Sequence, residues 1–149
     1  MLRLSRKTVL ALEAVLDVAY NARPHPVQAR DITERQGIPA RYLEQVLQQL
    51  VRDGVLKGVR GPKGGYTLAR ERRRVTLGEI VRLISRMETD QEEPASAAEL
   101  GEKVIAPIWA DLQDSLLRRL DAMTMEDLCR EAEAAGVRRA DDPNADFTI

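Results

Sequence analysis

Apolar residues along this chain recur mostly at steps of three and four, the period of helices that each bury one face. The first stretch follows Ser5, a residue suited to capping a helix, and Val9, Leu12, Leu16 and Tyr20 form one apolar stripe on a helix running to about Ala22. The run Arg23-Pro24-His25-Pro26 ends it, because proline disfavours helical backbone in the residue before it. A short helix is expected over Ala29–Gln36, stopped by Gly37, and Pro39 suits the first position of another that runs to Asp53 before Gly54. In that third helix Leu43, Val46, Leu47 and Leu50 share one side. Arg41, Tyr42, Glu44, Gln45, Gln48 and Arg52 are left largely outward.

The pattern then changes to two short strand-like segments, residues 55–59 and 66–69, around the loop Arg-Gly-Pro-Lys-Gly-Gly-Tyr at 60–66. This loop lacks the Gly-x-x-x-x-Gly-Lys-Ser/Thr spacing and the following helix that cradle a nucleotide, so its glycines read as a tight hairpin tip carrying cations. Thr76 and Glu79 have the spacing of a capping box for a helix to about Ser85. From 86 to 101 periodicity fails in a run rich in Glu, Ala and Ser, which reads as a linker or sensor loop. It returns at Ile105, Ile108, Trp109, Leu112, Leu116 and Leu120, on a helix beginning between Glu102 and Ala106 with Pro107 in its first turn or two. The linker and a short last helix, capped by Thr124 and ended by Gly136, cannot cover so long a stripe, so it is expected to pair two copies of the chain.

These elements predict a mainly α fold: a winged helix-turn-helix with a small two-stranded β wing, plus a long C-terminal dimerisation helix. The expected organisation is a DNA-binding domain over 1–85, a linker or sensor loop over 86–101, the dimerisation and last helices over 102–136, and a disordered tail over 137–149. Charge sharpens this division. The chain's net charge of −1 conceals 16 Lys/Arg against 8 Asp/Glu in residues 1–85, and 7 against 16 in residues 86–149. A basic module thus precedes an acidic one, and the first is the half suited to a polyanion. Aromatic residues make up only 3% of the 149, which argues against stacking on single-stranded bases as the main binding mode.

Other chemistries find little support. Arg3, Arg6 and Lys7 before an apolar stretch resemble a secretion signal, but Glu13 and Asp17 interrupt that stretch at helical spacing. No uncharged run approaches the roughly 20 residues of a membrane span, and the single Cys129 allows no intrachain disulfide, so no membrane association and a cytoplasmic location are expected. His25 sits between prolines with no nucleophile paired to it, and no cofactor, metal or catalytic constellation is recognisable. Cys129 reads as a small packed residue, with a redox-sensing thiol as the alternative. Glu88, Asp90, Glu92 and Glu93 read as a solvated linker, since a hard-cation site would need a fixed loop.

Four segments together give a specific likeness: Leu-Asp-Val-Ala at 16–19, Asp-Ile-Thr-Glu-Arg-Gln-Gly-Ile at 31–38, Tyr-Leu-Glu-Gln at 42–45 and Val-Arg-Gly-Pro-Lys-Gly-Gly-Tyr at 59–66. With them the chain resembles the Rrf-two family of bacterial transcription regulators. A weaker likeness continues through residues 76–81 and 109–128. IscR-like members hold an iron-sulfur cluster with three cysteines in the segment matching 87–103 and a histidine just before the tryptophan. Here that segment contains no Cys and the histidine position is Ala106, so a cluster of that kind is not expected.

The resemblance implies that the helix opening at Pro39 enters the major groove. Arg41 would pair with guanine, Gln45 with adenine, Glu44 with a cytosine amino group, and Tyr42 with phosphate or a thymine methyl. Arg60 at the wing tip suits a narrow minor groove, with Lys63 and the amides of Gly64 and Gly65 against the adjacent backbone. Ser5, Arg6 and Lys7 are placed to grip phosphate at a helix N-terminus. The run Arg72–Arg74 is either a solvated strand end or a further phosphate contact. The expected partners are double-stranded DNA, a second copy of the chain and an unidentified small-molecule effector. A protein-binding winged helix that has lost DNA contact is the alternative.

Overall fold

The computed structural model describes residues 5–22, 25–88 and 98–141. Helix α1 (Arg6–Asn21) starts where Ser5 accepts a hydrogen bond from the Thr8 amide at 3.1 Å, and it forms the centre of the fold. Around it lie α2 (Ala29–Gln36), α3 (Ala40–Arg52), strands β1 (Leu56–Val59) and β2 (Gly65–Leu68), α4 (Leu77–Glu88), α5 (Ala106–Asp121) and α6 (Met125–Ala134). Gly37 ends α2 in the left-handed region at φ 65°, a conformation that costs glycine nothing, and its amide bonds the Thr33 carbonyl. Helix α3 begins one residue later than expected, with Pro39 as its cap.

Central position explains a difference from the sequence expectation. The buried face of α1 is Ala11, Ala14, Val15, Val18 and Ala19 with Tyr20 as expected, whereas Val9 is 38% exposed and Leu12 and Leu16 are only half-buried. Surrounded on several sides, α1 needs small side chains so that its neighbours can approach, and the larger residues fall to the edges of its packing. The core also takes one carboxylate. Asp17 is buried and accepts hydrogen bonds of 2.9 and 2.8 Å from Arg35 and 2.8 Å from Gln36, which holds the end of α2 against α1. The guanidinium of Arg35 is held above its usual pKa chiefly by that hydrogen bond.

The antiparallel strands pair Leu56 with Leu68 and Val59 with Gly65, and Tyr66 also exchanges backbone hydrogen bonds with Val27 at 2.7 and 3.0 Å. The capping box expected at α4 is half formed. Thr76 accepts from the Glu79 amide at 3.3 Å, but the Glu79 carboxylate turns to Arg70 at 2.8 Å. Helix α4 continues three residues past Ser85, to Glu88. Thr124 and Asp127 form the reciprocal box at α6, and these bonds hold the Asp127 carboxyl below its ordinary pKa.

Helix α5 is preceded by a widened π turn, Gly101–Ile105, which gives the Pro107 ring room where an α-helical Lys103 carbonyl would crowd it. Its last turn meets α4 through the Arg82–Asp121 ion pair and a close approach of Asp121 to Gly78. Helix α6 packs back on α1, burying Met125 and Cys129 in the common core. The segment after it is placed as well: Tyr20 donates to the Val137 carbonyl and the Ala140 amide donates to Asn21, so residues 137–141 lie on the end of α1 instead of trailing away. Residues 142–149, expected to be disordered, and Asp90, Glu92 and Glu93 of the expected linker lie outside the described residues.

Candidate nucleic-acid interface

Helix α3, the start of α1 and the wing carry the residues expected to meet DNA. Helix α3 buries Leu43, Val46, Leu47 and Leu50, and this fixes Arg41, Glu44, Gln45 and Gln48 on its exposed side. The start of α1 is tied beside it by Tyr42, whose hydroxyl donates to the Lys7 carbonyl at 2.6 Å. The Tyr42 ring is half-buried and its hydroxyl is used within the fold, so it holds α3 against α1. Burial, followed by the charge of Glu88, pushes its pKa up to about 12, so the hydroxyl keeps its proton at neutral pH.

Arg6 and Lys7 stand exposed at the first turn of α1. Ser5 does not stand free beside them. Besides capping Thr8, its hydroxyl lies 3.3 Å from both carboxylate oxygens of Glu88, the last residue of α4. A carboxylate therefore occupies the positive end of α1, where the sequence reading placed a phosphate. Sequence reasoning missed Glu88 because the contact joins residues 83 positions apart and leaves no trace in any local pattern.

At the wing, Arg60 and Lys63 are exposed, but the glycines are spent on the turn. The Gly64 amide donates to the Gly61 carbonyl at 2.9 Å, and Gly64 is buried so tightly that a Cβ would sit 2.2 Å from the Val59 carbonyl. Gly65 is pressed against the Val27 backbone in the same way, at 2.4 Å. The Gly64 amide is thus not presented to a ligand; both glycines allow the hairpin to close on its support. Arg70, not singled out in the sequence, locks the wing's base: it bonds the Gly54 and Arg74 carbonyls at 3.3 and 3.1 Å as well as Glu79. The run Arg72–Arg74 forms a single 3-10 turn packed against α6, with Arg73 paired to Glu71.

The last predicted site is the apolar row of α5. Ile105, Ile108, Trp109, Leu112 and Leu116 are exposed, Ile105 by 59% and Trp109 by 41%, and no residue of α5 is buried. Leu120 departs from the row. It packs partly buried on the protomer's own core, because the last turn of α5 is drawn onto α4.

Residues 4–131 match a family model described as an iron-dependent transcriptional regulator, Rrf2 (Rrf-two). The chain belongs to the Rrf2 family. It is similar to the HTH-type transcriptional regulator IscR of Escherichia coli and of Cronobacter sakazakii, each 34% identical over 138 residues that cover 91% of this chain and 85% of the relative. Among solved structures it is similar to T. potens IscR, with a TM-score of 0.74, 33% identity and 93% of both chains covered. It is also similar to CymR, the global cysteine regulator of B. subtilis, with a TM-score of 0.69, 27% identity and 88% and 98% coverage. Rrf2 membership makes the chain a DNA-binding transcription regulator with a winged-helix fold. No helix among the described residues is long and apolar enough to cross a membrane.

The family description carries iron, and the donors present do not fit a thiolate-held cluster. The chain has one cysteine, and Cys129 is buried in the core between α1 and α6, only 4% exposed. One thiol cannot supply the ligand set such a cluster requires.

Proposed function

We propose that this Rrf2 protein is a repressor that binds a palindromic operator as a homodimer and does so without a three-cysteine iron-sulfur cluster. The observation that carries the reading is the exposed polar side of α3, with the cationic first turn of α1 tied beside it by Tyr42, together with the exposed cations of the wing. On this reading Arg41, Glu44 and Gln45 read base edges in the major groove, Tyr42 holds the helix in place, Arg6, Lys7 and Lys63 contact phosphate, and Arg60 enters the adjacent minor groove. Ser5 contributes as the cap that begins α1, just before the phosphate contacts of Arg6 and Lys7. The exposed row Ile105, Ile108, Trp109, Leu112 and Leu116 pairs with its copy, which gives the two-fold symmetry that an operator must mirror. The single buried thiol supports the cluster-free reading.

Selection of binding sites from a random duplex pool by the full chain tests it. The expected product is a two-fold symmetric site with half-sites about one helical turn apart or a multiple of it. Enrichment of a lone asymmetric half-site, or of nothing, would contradict the proposal. Placed across a promoter, the selected site should lower reporter output when the protein is present; higher output would make it an activator.

A further inference from the structure

A second polar site lies away from the DNA face. The end of α1, the Arg72–Arg74 turn, α6 and the segment after α6 enclose a cavity of about 240 Å3, lined in part by Tyr20, Arg72, Cys129, Glu133 and Arg139. The segment is fastened over it. The Val137 amide returns to the Ala132 carbonyl, Tyr20 donates to Val137, Ala140 donates to Asn21 at 2.9 Å, and the Arg139 guanidinium stacks 5.9 Å from the centre of the Tyr20 ring.

The charges in this cavity are incompletely matched. Arg130, also on its wall, is paired with Glu126 at 3.5 Å on the same helix. Arg72 and Glu133 have no side-chain hydrogen-bond or ion-pair partner among the described residues. The Nε of Arg139 is buried with no hydrogen-bond acceptor, and the Asp141 carboxylate it pairs with stands 3.6 Å away, beyond hydrogen-bond reach. Arg72 is half-buried and Glu133 exposed, so water reaches both; the Arg139 Nε is the buried group left without an acceptor, and a ligand that supplies one there while pairing with Arg72 and Glu133 would be favoured. A purely anionic ligand would satisfy the two arginines and leave Glu133 opposed, whereas a purely cationic one would do the reverse. A molecule carrying both charges answers all three groups at once.

We propose that this cavity binds a small zwitterion of the α-amino acid class, with its carboxylate on Arg72 and the Arg139 Nε and its ammonium on Glu133. The volume lies below the roughly 300–1,000 Å3 of sites for drug-sized ligands, as suits a molecule of that size. Arg72 follows β2 closely and also lines a groove with Val18, Ala22 and Leu68, where β2 rests on α1. A ligand that holds Arg72 toward α6 therefore acts on the root of the wing, and the site is placed to change operator affinity.

The test needs no DNA, so its failure is distinct from a failure of the operator reading. Thermal unfolding of the full chain is followed with each of the twenty protein L-amino acids. The one giving the largest shift is then compared by calorimetry with its methyl ester and its N-acetyl derivative. The expected result is a raised Tm with at least one amino acid and no binding of either derivative. Affinity should fall about tenfold or more in both R72Q and E133Q. Both side chains lie at the cavity wall outside the apolar core, so the variants should keep the Tm of the unliganded protein. The proposal is overturned if no amino acid raises the Tm, if a derivative binds as well as its parent, or if both variants keep full affinity. Operator affinity with and without the bound amino acid reads the coupling: a change on the order of tenfold is expected, and no change would overturn the regulatory role.

Discussion

Helices α3 and α5 are both amphipathic, with 13 and 16 residues and apolar rows at three- and four-residue steps, yet the fold treats them oppositely. Leu43, Val46, Leu47 and Leu50 of α3 are at most 1% exposed, enclosed by neighbours from the same domain. Helix α5 rests on α4 and its own preceding turn, and its row from Ile105 to Leu116 is left open. The lesson is that periodicity tells which side of a helix is apolar but not what covers it. Cover comes from topology, and where the chain brings none, a second copy is the proposed source.

Truncating one side chain in each row breaks or sharpens this contrast most strongly. Leu47→Ala should lower the unfolding free energy by about 2–5 kcal/mol, because it leaves a cavity in a filled core. Leu112→Ala should cost the folded protomer far less and instead raise the dimer dissociation constant. Urea melts and sedimentation, run across protein concentrations, separate the two effects. Equal losses of protomer stability would show that α5 is covered within its own chain.

A smaller effect is expected on the outward side of α3. Arg41→Ala or Gln45→Ala should weaken binding to the selected operator by about 1–3 kcal/mol and relax base preference at one position. Competition titrations against single-base variants check this. Equal losses on operator and random duplex would mean that these side chains touch only the backbone.

The smallest effect concerns the carboxylate at the end of α1. With Glu88 lying 3.3 Å from Ser5, the negative charge competes with a phosphate for the same helix terminus. Glu88→Gln should therefore strengthen duplex binding by about 0.3–1 kcal/mol, roughly two- to fivefold. Unchanged or weaker binding would place the phosphate elsewhere. Since Glu88 lies within the 86–101 segment expected to act as linker or sensor, this contact joins the first residues of that segment to the start of α1.

Much of the fold was legible because its signals are local. Ser5, Gly37 and Thr124 punctuate helices through bonds that span three or four residues, and the glycines at 61–65 mark the hairpin within a short window. The outward face of α3 was legible for the same reason. What escaped is non-local. The bond from Tyr42 to Lys7 spans 35 positions, the approach of Glu88 to Ser5 spans 83, and the bond from Ala140 to Asn21 spans 119. No periodicity encodes such pairings, so the tie from Tyr42 to α1 went unread and residues 137–141 read as part of a free tail. Tyr20 is buried as expected, but Val9, Leu12 and Leu16 were misplaced for another reason: size was taken as a proxy for burial, whereas a central helix buries its alanines.

The salt dependence of duplex binding tests the central claim most directly. With Arg6, Lys7 and Lys63 each meeting a phosphate in both protomers, a plot of log affinity against log salt should fall with a slope of about −5. A slope near half that value would leave the DNA face intact and remove the dimer. A flat plot, or no duplex binding at low salt, would contradict the account of this chain as a dimeric DNA-binding regulator.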